Sequence, residues 1–327
     1  MIPTHNRRAM LERCLDSLSR QTIAASEFEV IVVDDGSTDD TETWLASGEL
    51  PLPVLAVRTD NGGPARARNV GAARARGAYL AFTEDDVLVA PDWLERARRS
   101  LDEGGGDVLE GLTIEQRTRR ALRRLEREHA WSFIPCNLFV RRRVFEELGG
   151  YDPEFFDAKT KLYFREDADL GFRILEGGYR ADVAPDAIVE HPPMVLGVAA
   201  SLRQARRHVF DPLLYRKHPR RFRRLIEVKT VWGVRVHRPQ HYVALVTALG
   251  WVAAVAGASA RSGIVVGVGA AVGFGGSAAI RLKYQGLRGS LRLYRLRETA
   301  GFLALPLVYL GAVVRGCVRY RSLGALL

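Results

Sequence analysis

The stretch FEVIVVDD, residues 28–35, is a continuous apolar, β-branched run of strand length that ends in two acids. A strand without polar alternation is one covered on both faces. The segments around it follow a regular order. Residues 7–20 place Leu11, Cys14, Leu15 and Leu18 at helical spacing. GSTDDTETWL (36–45) supplies turn residues and then a helix, with Ser37 or Thr38 expected as its N-cap. VLAVR (54–58) reads as a short strand and AYLAFT (78–83) as another. Between them, GGPARARNVGAARARG (62–77) reads as a Gly-Pro turn feeding an Ala/Arg helix. PDWLERARRSL (91–101) sets Pro at a helix start, where its missing N–H is harmless.

Strands alternating with helices imply a parallel sheet covered by helices, an α/β domain. Ligands in such sheets bind beyond the carboxyl ends of the strands. Asp34-Asp35 and Glu84-Asp85-Asp86 both fall at strand ends and are expected to converge on one crevice. At a strand end alternate residues point the same way, so Glu84 and Asp86 share a side and Asp85 faces the other. Two hard oxygen ligands suit Mg²⁺ or Mn²⁺ bridging to substrate phosphates, and the cation relieves the repulsion within the triplet. The other reading is a solvated acidic turn ahead of the helix at Pro91, where negative charge favours the N-terminus.

The chain has 327 residues, with 48 Lys and Arg against 38 Asp and Glu, a net charge of +10. Anionic partners are therefore expected, among them a membrane surface or phosphates. Cys14, Cys136 and Cys317 lie far apart, with neither metal-ligand spacing nor a disulfide framework, as in a reduced compartment. Met1 is followed at once by IPTHNRR, so the first domain is expected to stay in the cytoplasm.

The charge is unevenly spread. Residues 202–238 are heavily basic, as in RKHPRRFRRL (216–225), and three stretches without a charged residue follow at 242–260, 262–280 and 299–314. The first two approach the ~20 residues that cross a bilayer as a helix, and the third holds Pro306. Buried helices of a soluble domain are the alternative, although the glycines of 262–280 suit close helix packing in lipid. The basic segments 202–238 and 281–297 would both be cytoplasmic, with Arg261-Ser262-Gly263 as an outer turn. An interfacial third segment would keep Arg315, Arg319 and Arg321 from ending outside.

IPTHNR (2–7), VIVVDDGSTDDT (30–41) and NGGPARARNVGAARARGAYLAFTEDD (61–86) resemble, in order and spacing, the family 2 glycosyltransferases. The resemblance continues through CNLFVRRRVFEELGGYDPEF (136–155) and FREDADLGFRILEGGYR (164–180). It implies a GT-A fold, a nucleotide-sugar-binding α/β sheet, and a reaction that inverts the anomeric centre. By position, Asp35 resembles the acid that hydrogen-bonds the nucleotide base, and Pro3 and Thr4 would line the same pocket. Asp85 or Glu84 would meet the ribose or sugar, and Asp86 resembles the principal metal ligand of the DXD motif, with Glu84 where Asp is more usual. Arg68 would face the diphosphate. Asp167 matches the family's catalytic base, Glu166 would bind acceptor hydroxyls or tune it, and Asp169 reads as an N-terminal helix acid. His191, ending the strand DAIVEH (186–191), resembles an additional metal ligand. Trp131 and Cys136 would stand near the acceptor wall. Family members usually carry several apolar residues before PTHNR, where Met1 and Ile2 stand here, so either the first strand is very short or the true start lies upstream.

The resulting expectation is a GT-A domain over 1–200 with a mostly parallel central sheet flanked by helices. A basic amphipathic juxtamembrane segment (201–240) and a membrane region with two or three apolar helices (241–327) would follow. The implied activity is transfer of a hexosyl group from a nucleotide-sugar donor to a lipid-linked or cell-envelope glycan acceptor, with Mg²⁺ or Mn²⁺ as cofactor. The catalytic domain would lie on the cytoplasmic side of the cell membrane. A catalytically inactive membrane scaffold of the same fold is the alternative, although a scaffold needs none of Asp35, Asp86 and Asp167. Nucleic acid is not expected as a partner, because the Arg-rich segments lack aromatic interleaving or a known module.

Overall fold

The computed structural model describes residues 1–116, 133–192, 197–226, 228–231, 234–290 and 296–325; Trp131 lies outside them. The chain divides into two compact units, Met1–Pro193 and Met194–Leu327.

The first unit contains, in chain order, β1 (Ile2–Thr4), α1 (Arg8–Leu18), β2 (Val30–Asp34), α2 (Thr41–Ala46), β3 (Val54–Arg58), α3 (Pro64–Ala72), β4 (Tyr79–Phe82), β5 (Leu88–Val89) and α4 (Trp93–Asp102). There follow β6 (Val108–Glu115), β7 (Leu138–Arg141), α5 (Arg142–Glu147), β8 (Phe156–Asp157), β9 (Leu162–Tyr163), α6 (Glu166–Glu176) and β10 (Ala181–His191). Every residue of β2 is buried, as its unbroken apolar run requires. Helix α1 buries the four residues that carry its helical spacing.

β1, β2 and β3 form a three-stranded parallel sheet. β4, β7, β6, β10 and β5 form a five-stranded one. In the latter only β6 and β10 pair in parallel, and the β4–β7, β6–β7 and β5–β10 pairs are antiparallel. The two sheets join at Met1, whose nitrogen donates to the Ala81 carbonyl at 3.0 Å and whose carbonyl accepts from Thr83 N–H at 3.1 Å. β1 thus lies between β2 and β4. A mostly parallel sheet is therefore correct for the first half and not for the second. After β4 strands and helices no longer alternate one for one, and β7 runs back between β4 and β6.

β1 pairs only through Ile2, Pro3 and Thr4. A cavity of about 510 Å³ is lined among others by Met1, Leu18, Ile31, Tyr79, Trp93 and Phe139. The helix after β2 begins at Thr41, later than Ser37 or Thr38. Asp39 accepts from the Thr41 N–H and hydroxyl, while Ser37 donates its N–H to Asp34 and accepts from the Asn6 N–H. The turn is tied to its neighbours before the helix can start.

The second unit holds α7 (Val198–Arg206), α8 (Asp211–Lys217), α9 (Pro219–Leu225), the antiparallel hairpin β11 (Val228–Val231) and β12 (Val234–His237), and then α10 (Pro239–Ser259), α11 (Gly263–Ser290) and α12 (Leu296–Arg319). The described residues of the basic segment form short helices and a pair of antiparallel strands, and bury Val209, Phe210, Leu213, Leu214 and Phe222. Asp211, fully buried, accepts from Arg238 at 2.6 Å and lies 2.9 Å from His208 Nδ1. Arg238 also donates to the Tyr309 hydroxyl at 3.0 Å.

Helices α10 and α11 pack backbone to backbone. A Cβ on Gly269 would lie 2.5 Å from Ala254 N and 2.7 Å from the Gly250 carbonyl, so only glycine allows that approach. Their outer faces expose Leu249, Val252, Val255, Ile264 and Val268. Among the described residues one segment, His241–Ser259, is long and apolar enough to cross a membrane, and Gly263–Ala279 is a shorter apolar helix. Helix α12 runs unbroken through Pro306. Its Leu305, Tyr309, Val313 and Cys317 pack with Ala205 and Ala244 in the core of this unit.

Candidate active site

β4 stops at Phe82, and the acid triplet occupies the turn that leads into β5. The three carboxylates go to different partners. Asp85 is buried, accepting from the Thr4 hydroxyl at 2.8 Å and from Arg7 Nη1 at 3.0 Å. The same Arg7 nitrogen lies 3.0 Å from Asp86 Oδ2. Glu84 accepts from Arg68 at 3.0 Å. Glu84 and Asp86 do share a side, and with His191 they bring three ligand atoms within 4.8 Å of one another. Asp85 is turned to Thr4 and Arg7.

Three features of this group fit a divalent cation. Asp86 Oδ1 is buried and has no hydrogen-bond partner among the described residues, the state in which a carboxylate oxygen has desolvation to recover. His191 Nδ1 lies 2.7 Å from the Pro192 carbonyl. A nitrogen so placed carries the proton, which leaves the Nε2 lone pair for a ligand. Nε2 is also the nitrogen that faces Asp86 Oδ1, at 3.9 Å. Two carboxylates suit Mg²⁺ or Mn²⁺, and the imidazole favours Mn²⁺ of the two.

Burial is the main cause that pushes the Glu84 carboxyl above its ordinary range, reinforced by Asp86 and Asp85 and opposed by Arg68 and His191. Burial likewise raises Asp85, against the pull of Arg7 and Thr4. Both shifts record the free energy that concentrated negative charge costs in a partly dry site.

Arg68 does not stand open to a ligand. It is buried in α3, paired with Glu84, 3.8 Å from Glu166, and its guanidinium lies over the Tyr151 ring at 5.4 Å. Its place under the triplet makes it a fixed counter-charge to Glu84. Asp35 is similarly committed. Its carboxylate accepts from Gly62 N–H at 2.9 Å, Gly63 N–H at 2.7 Å and the Thr59 hydroxyl at 3.0 Å, and so builds the turn ahead of α3. Gly63 sits at φ +86°, and a Cβ there would lie 2.4 Å from the Phe156 ring. Pro3 lies in β1 beside the buried Thr4.

Glu166, Asp167 and Asp169 open α6. Arg165, the residue before them, adopts the left-handed conformation at φ +76°, a costly one for a side chain of its size. That kink sets the direction in which the first helical turn presents its acids. Glu166 is buried beside Arg68. Asp167 is half-buried, and its charge bears on the Tyr151 phenol, whose pKa burial drives up first. Asp169 is a clamp: it holds Arg173 at 2.8 Å, and Arg173 donates to the Leu148 and Gly150 carbonyls. Cys136 is buried with its carbonyl accepting from Thr83, behind the strand end.

The residue types singled out in the sequence therefore meet in two adjoining groups, with Arg68 and Tyr151 between the triplet and the α6 acids. Arg7 and Asn6 were not singled out, although both lie within IPTHNR. Asn6, at φ +56°, accepts at Oδ1 from Thr38 N–H at 2.6 Å and Asp39 N–H at 3.2 Å. A polar residue just before an amphipathic helix was the available signal for Asn6; Arg7 carried none, because Asp85 lies 78 residues away along the chain.

Residues 1–149 match the model of glycosyl transferase family 2, and residues 129–260 that of glycosyl transferase family group 2. Over 111 residues the chain is 36% identical to the poly(ribitol-phosphate) beta-N-acetylglucosaminyltransferase TarS of Staphylococcus aureus, covering 33% of this chain and 19% of that protein. It is 44% identical over 97 residues to the validoxylamine A glucosyltransferase of Streptomyces hygroscopicus, covering 29% of this chain and 23% of that one. The chain thus spans about a fifth of the length of these relatives. The glycosyltransferase AglE of Haloferax volcanii is 28% identical over 213 residues, 60% of this chain and 67% of that protein. Among solved structures, the mannosyltransferase PcManGT of Pyrobaculum calidifontis superposes with a TM-score of 0.57 at 21% identity, over 96% of this chain and 85% of that one. This likeness concerns the fold, and the fold is GT-A-like: a central sheet flanked by helices. By its motifs and its matching family model, residues 1–149 of the chain carry a glycosyl transferase family 2 domain, and the fold agrees.

Proposed function

We propose that the chain is an inverting glycosyltransferase that moves a hexosyl group from a nucleoside-diphosphate sugar to a hydroxyl group, in a metal-dependent reaction. The observation that carries this reading is the grouping of Glu84, Asp86 and His191 within 4.8 Å, beside the α6 acids. PcManGT was solved with GDP-Man and Mn²⁺, and TarS, in a structure of TM-score 0.50 and 16% identity, with UDP-GlcNAc. The same ligand classes are proposed for this chain.

Asp86, His191 and Glu84 would hold Mg²⁺ or Mn²⁺, which supplies positive charge against the negative charge that builds on a departing diphosphate. Asp167 takes the proton of the acceptor hydroxyl as that oxygen attacks the anomeric carbon. The nucleoside diphosphate leaves from the opposite face, so the configuration inverts. Glu166 and Arg68 position this acid and Glu84 through the buried ion pairs between them. The Asp35 turn and Thr4 fix the loop and strand end on which a nucleoside would rest.

The acceptor proposed is a lipid-linked or cell-envelope glycan, with the enzyme anchored in the cell membrane and its active site on the cytoplasmic side. The apolar outer faces of α10 and α11 support this, as does the basic segment that precedes them. The test is a screen of UDP-, GDP- and dTDP-sugars with the purified full chain, with and without Mn²⁺. Metal-dependent hydrolysis or transfer from one donor is the expected result. No turnover and no thermal stabilisation by any nucleotide would favour the inactive scaffold instead.

A further inference from the structure

Arg7 precedes α1 and reaches the acid triplet with a single nitrogen, Nη1, placed 3.0 Å from Asp85 Oδ1 and 3.0 Å from Asp86 Oδ2. Its side chain is 46% exposed, whereas Asp85 and Asp86 are 5% and 16% exposed. Arg68, the other guanidinium on the triplet, is buried. Arg7 is therefore the cation of this cluster with room to move. Its backbone has none: Asn6 next to it is tied to Ser37, Thr38 and Asp39. A fixed base and a long, half-exposed side chain are the parts of an arm that pivots over a short distance.

We propose that Arg7 competes with the divalent cation for Asp86 and is released by it to bind the diphosphate of the donor. This rests on the reading that Glu84, Asp86 and His191 hold that cation. The charges permit the exchange in both directions. Glu84, Asp85 and Asp86, with Glu166 3.8 Å from Arg68, carry four negative charges, which Arg68 and Arg7 offset by two. A divalent ion added to this set brings it to neutrality and sets a closer cation on Asp86, which then no longer needs the guanidinium. Asp85 keeps the Thr4 hydroxyl as a partner whether Arg7 stays or leaves. A diphosphate arriving with the ion brings back negative charge beside the freed arm, and the planar, multi-donor guanidinium is suited to it. Arg7 is then a positioning residue for Asp86 in one state and a donor-binding residue in the other.

The two roles predict opposite responses in one variant. Removing Arg7 removes a competitor for Mn²⁺ and a contact for the diphosphate. Equilibrium binding of Mn²⁺ alone, and of inorganic pyrophosphate in saturating Mn²⁺, is to be measured by calorimetry on the wild-type chain, Arg7→Gln and Arg7→Lys. Arg7→Gln is expected to bind Mn²⁺ about threefold to tenfold more tightly and pyrophosphate more weakly by a similar factor, as befits one half-exposed ion pair. Arg7→Lys should return Mn²⁺ affinity to the wild-type value and pyrophosphate affinity only part of the way.

If Arg7 only holds Asp85 and Asp86 in place, Arg7→Gln weakens both ligands, and the proposal is overturned. Unchanged Mn²⁺ affinity in Arg7→Gln overturns it too. If the wild-type chain itself binds no Mn²⁺, the metal reading fails and takes this inference with it, so the two failures are told apart by the wild-type measurement. Should Arg7→Gln fold poorly, Arg7→Lys carries the test. A point charge without the planar fork should then bind pyrophosphate less tightly while competing with Mn²⁺ as before, and equal pyrophosphate affinity would overturn the proposal.

Discussion

His191, the last residue of β10, brings Nε2 to 3.9 Å from Asp86 Oδ1 in the turn after β4. Two segments far apart in the chain thus present complementary ligand atoms, with the buried carboxylate oxygen otherwise without a hydrogen-bond partner among the described residues. Asp86→Asn and His191→Ala are each expected to lower Mn²⁺ affinity by at least about tenfold, with Asp86→Asn the more severe. Mn²⁺ titration followed by electron paramagnetic resonance checks this. Retained affinity in Asp86→Asn would remove that residue from the ligand set.

Asp167 is the half-buried acid in the first turn of α6, held out by the left-handed Arg165. Asp167→Asn should cut transfer by about 10²- to 10⁴-fold while leaving nucleotide affinity within a factor of about two, the mark of a lost general base. Parallel measurement of turnover and of nucleotide binding separates the two. Loss of nucleotide binding in Asp167→Asn would instead assign the residue to the donor pocket.

Arg68 is buried, paired with Glu84 and close to Glu166. Arg68→Met keeps most of the volume but leaves these carboxylates without their counter-charge, and is expected to cost about 3 kcal/mol in the absence of metal. Denaturant unfolding in EDTA measures it. The deficit should shrink on adding Mn²⁺, because a second source of positive charge then faces Glu84. A cost that metal does not change would mean that Arg68 acts through packing on Tyr151.

Glu84 and Asp85 are both held above the ordinary carboxylate range, chiefly by burial. A group whose folded pKa is raised contributes stability that is present at pH below its unfolded value and lost as pH rises through the folded one. The metal-free protein should therefore lose stability from these groups as pH climbs above the ordinary carboxylate range. Metal binding runs the other way, since ligands must be deprotonated. The difference in Tm between Mn²⁺ and EDTA is expected to widen from about pH 5 to pH 7.5. A constant difference would show that protons and metal do not share these carboxylates.

Gly269 and Gly250 let α10 and α11 touch through their backbones. Gly269→Leu would force at least one helix away and should break the hairpin. Disulfide trapping between cysteines placed at Gly257 and Val265, where a Cβ on Gly257 would lie 2.8 Å from the Val265 Cβ, would report this as a loss of cross-linking in detergent or vesicles. Unaltered cross-linking would mean that the helices are held together elsewhere.

The sequence by itself determined the local structure of the first unit. The apolar run of β2, the helical spacing of Leu11, Cys14, Leu15 and Leu18, and the Gly-Pro turn before α3 each follow from forces acting within a few residues. Side-chain alternation also placed Glu84 with Asp86 and Asp85 apart from them. The tertiary structure decided what each charge does. Arg68 looked like a ligand for phosphate and is a buried partner of Glu84. Asp35 is spent on the Gly62-Gly63 turn. Arg7, unremarkable in IPTHNR, spans two of the three acids. The tertiary structure also decided that the second sheet is mixed and that the basic segment folds around Asp211. A charge has no periodicity to read. Its role is set by which opposite charge lies within a few ångströms and how little water lies between them, and both depend on chain segments that only folding brings together.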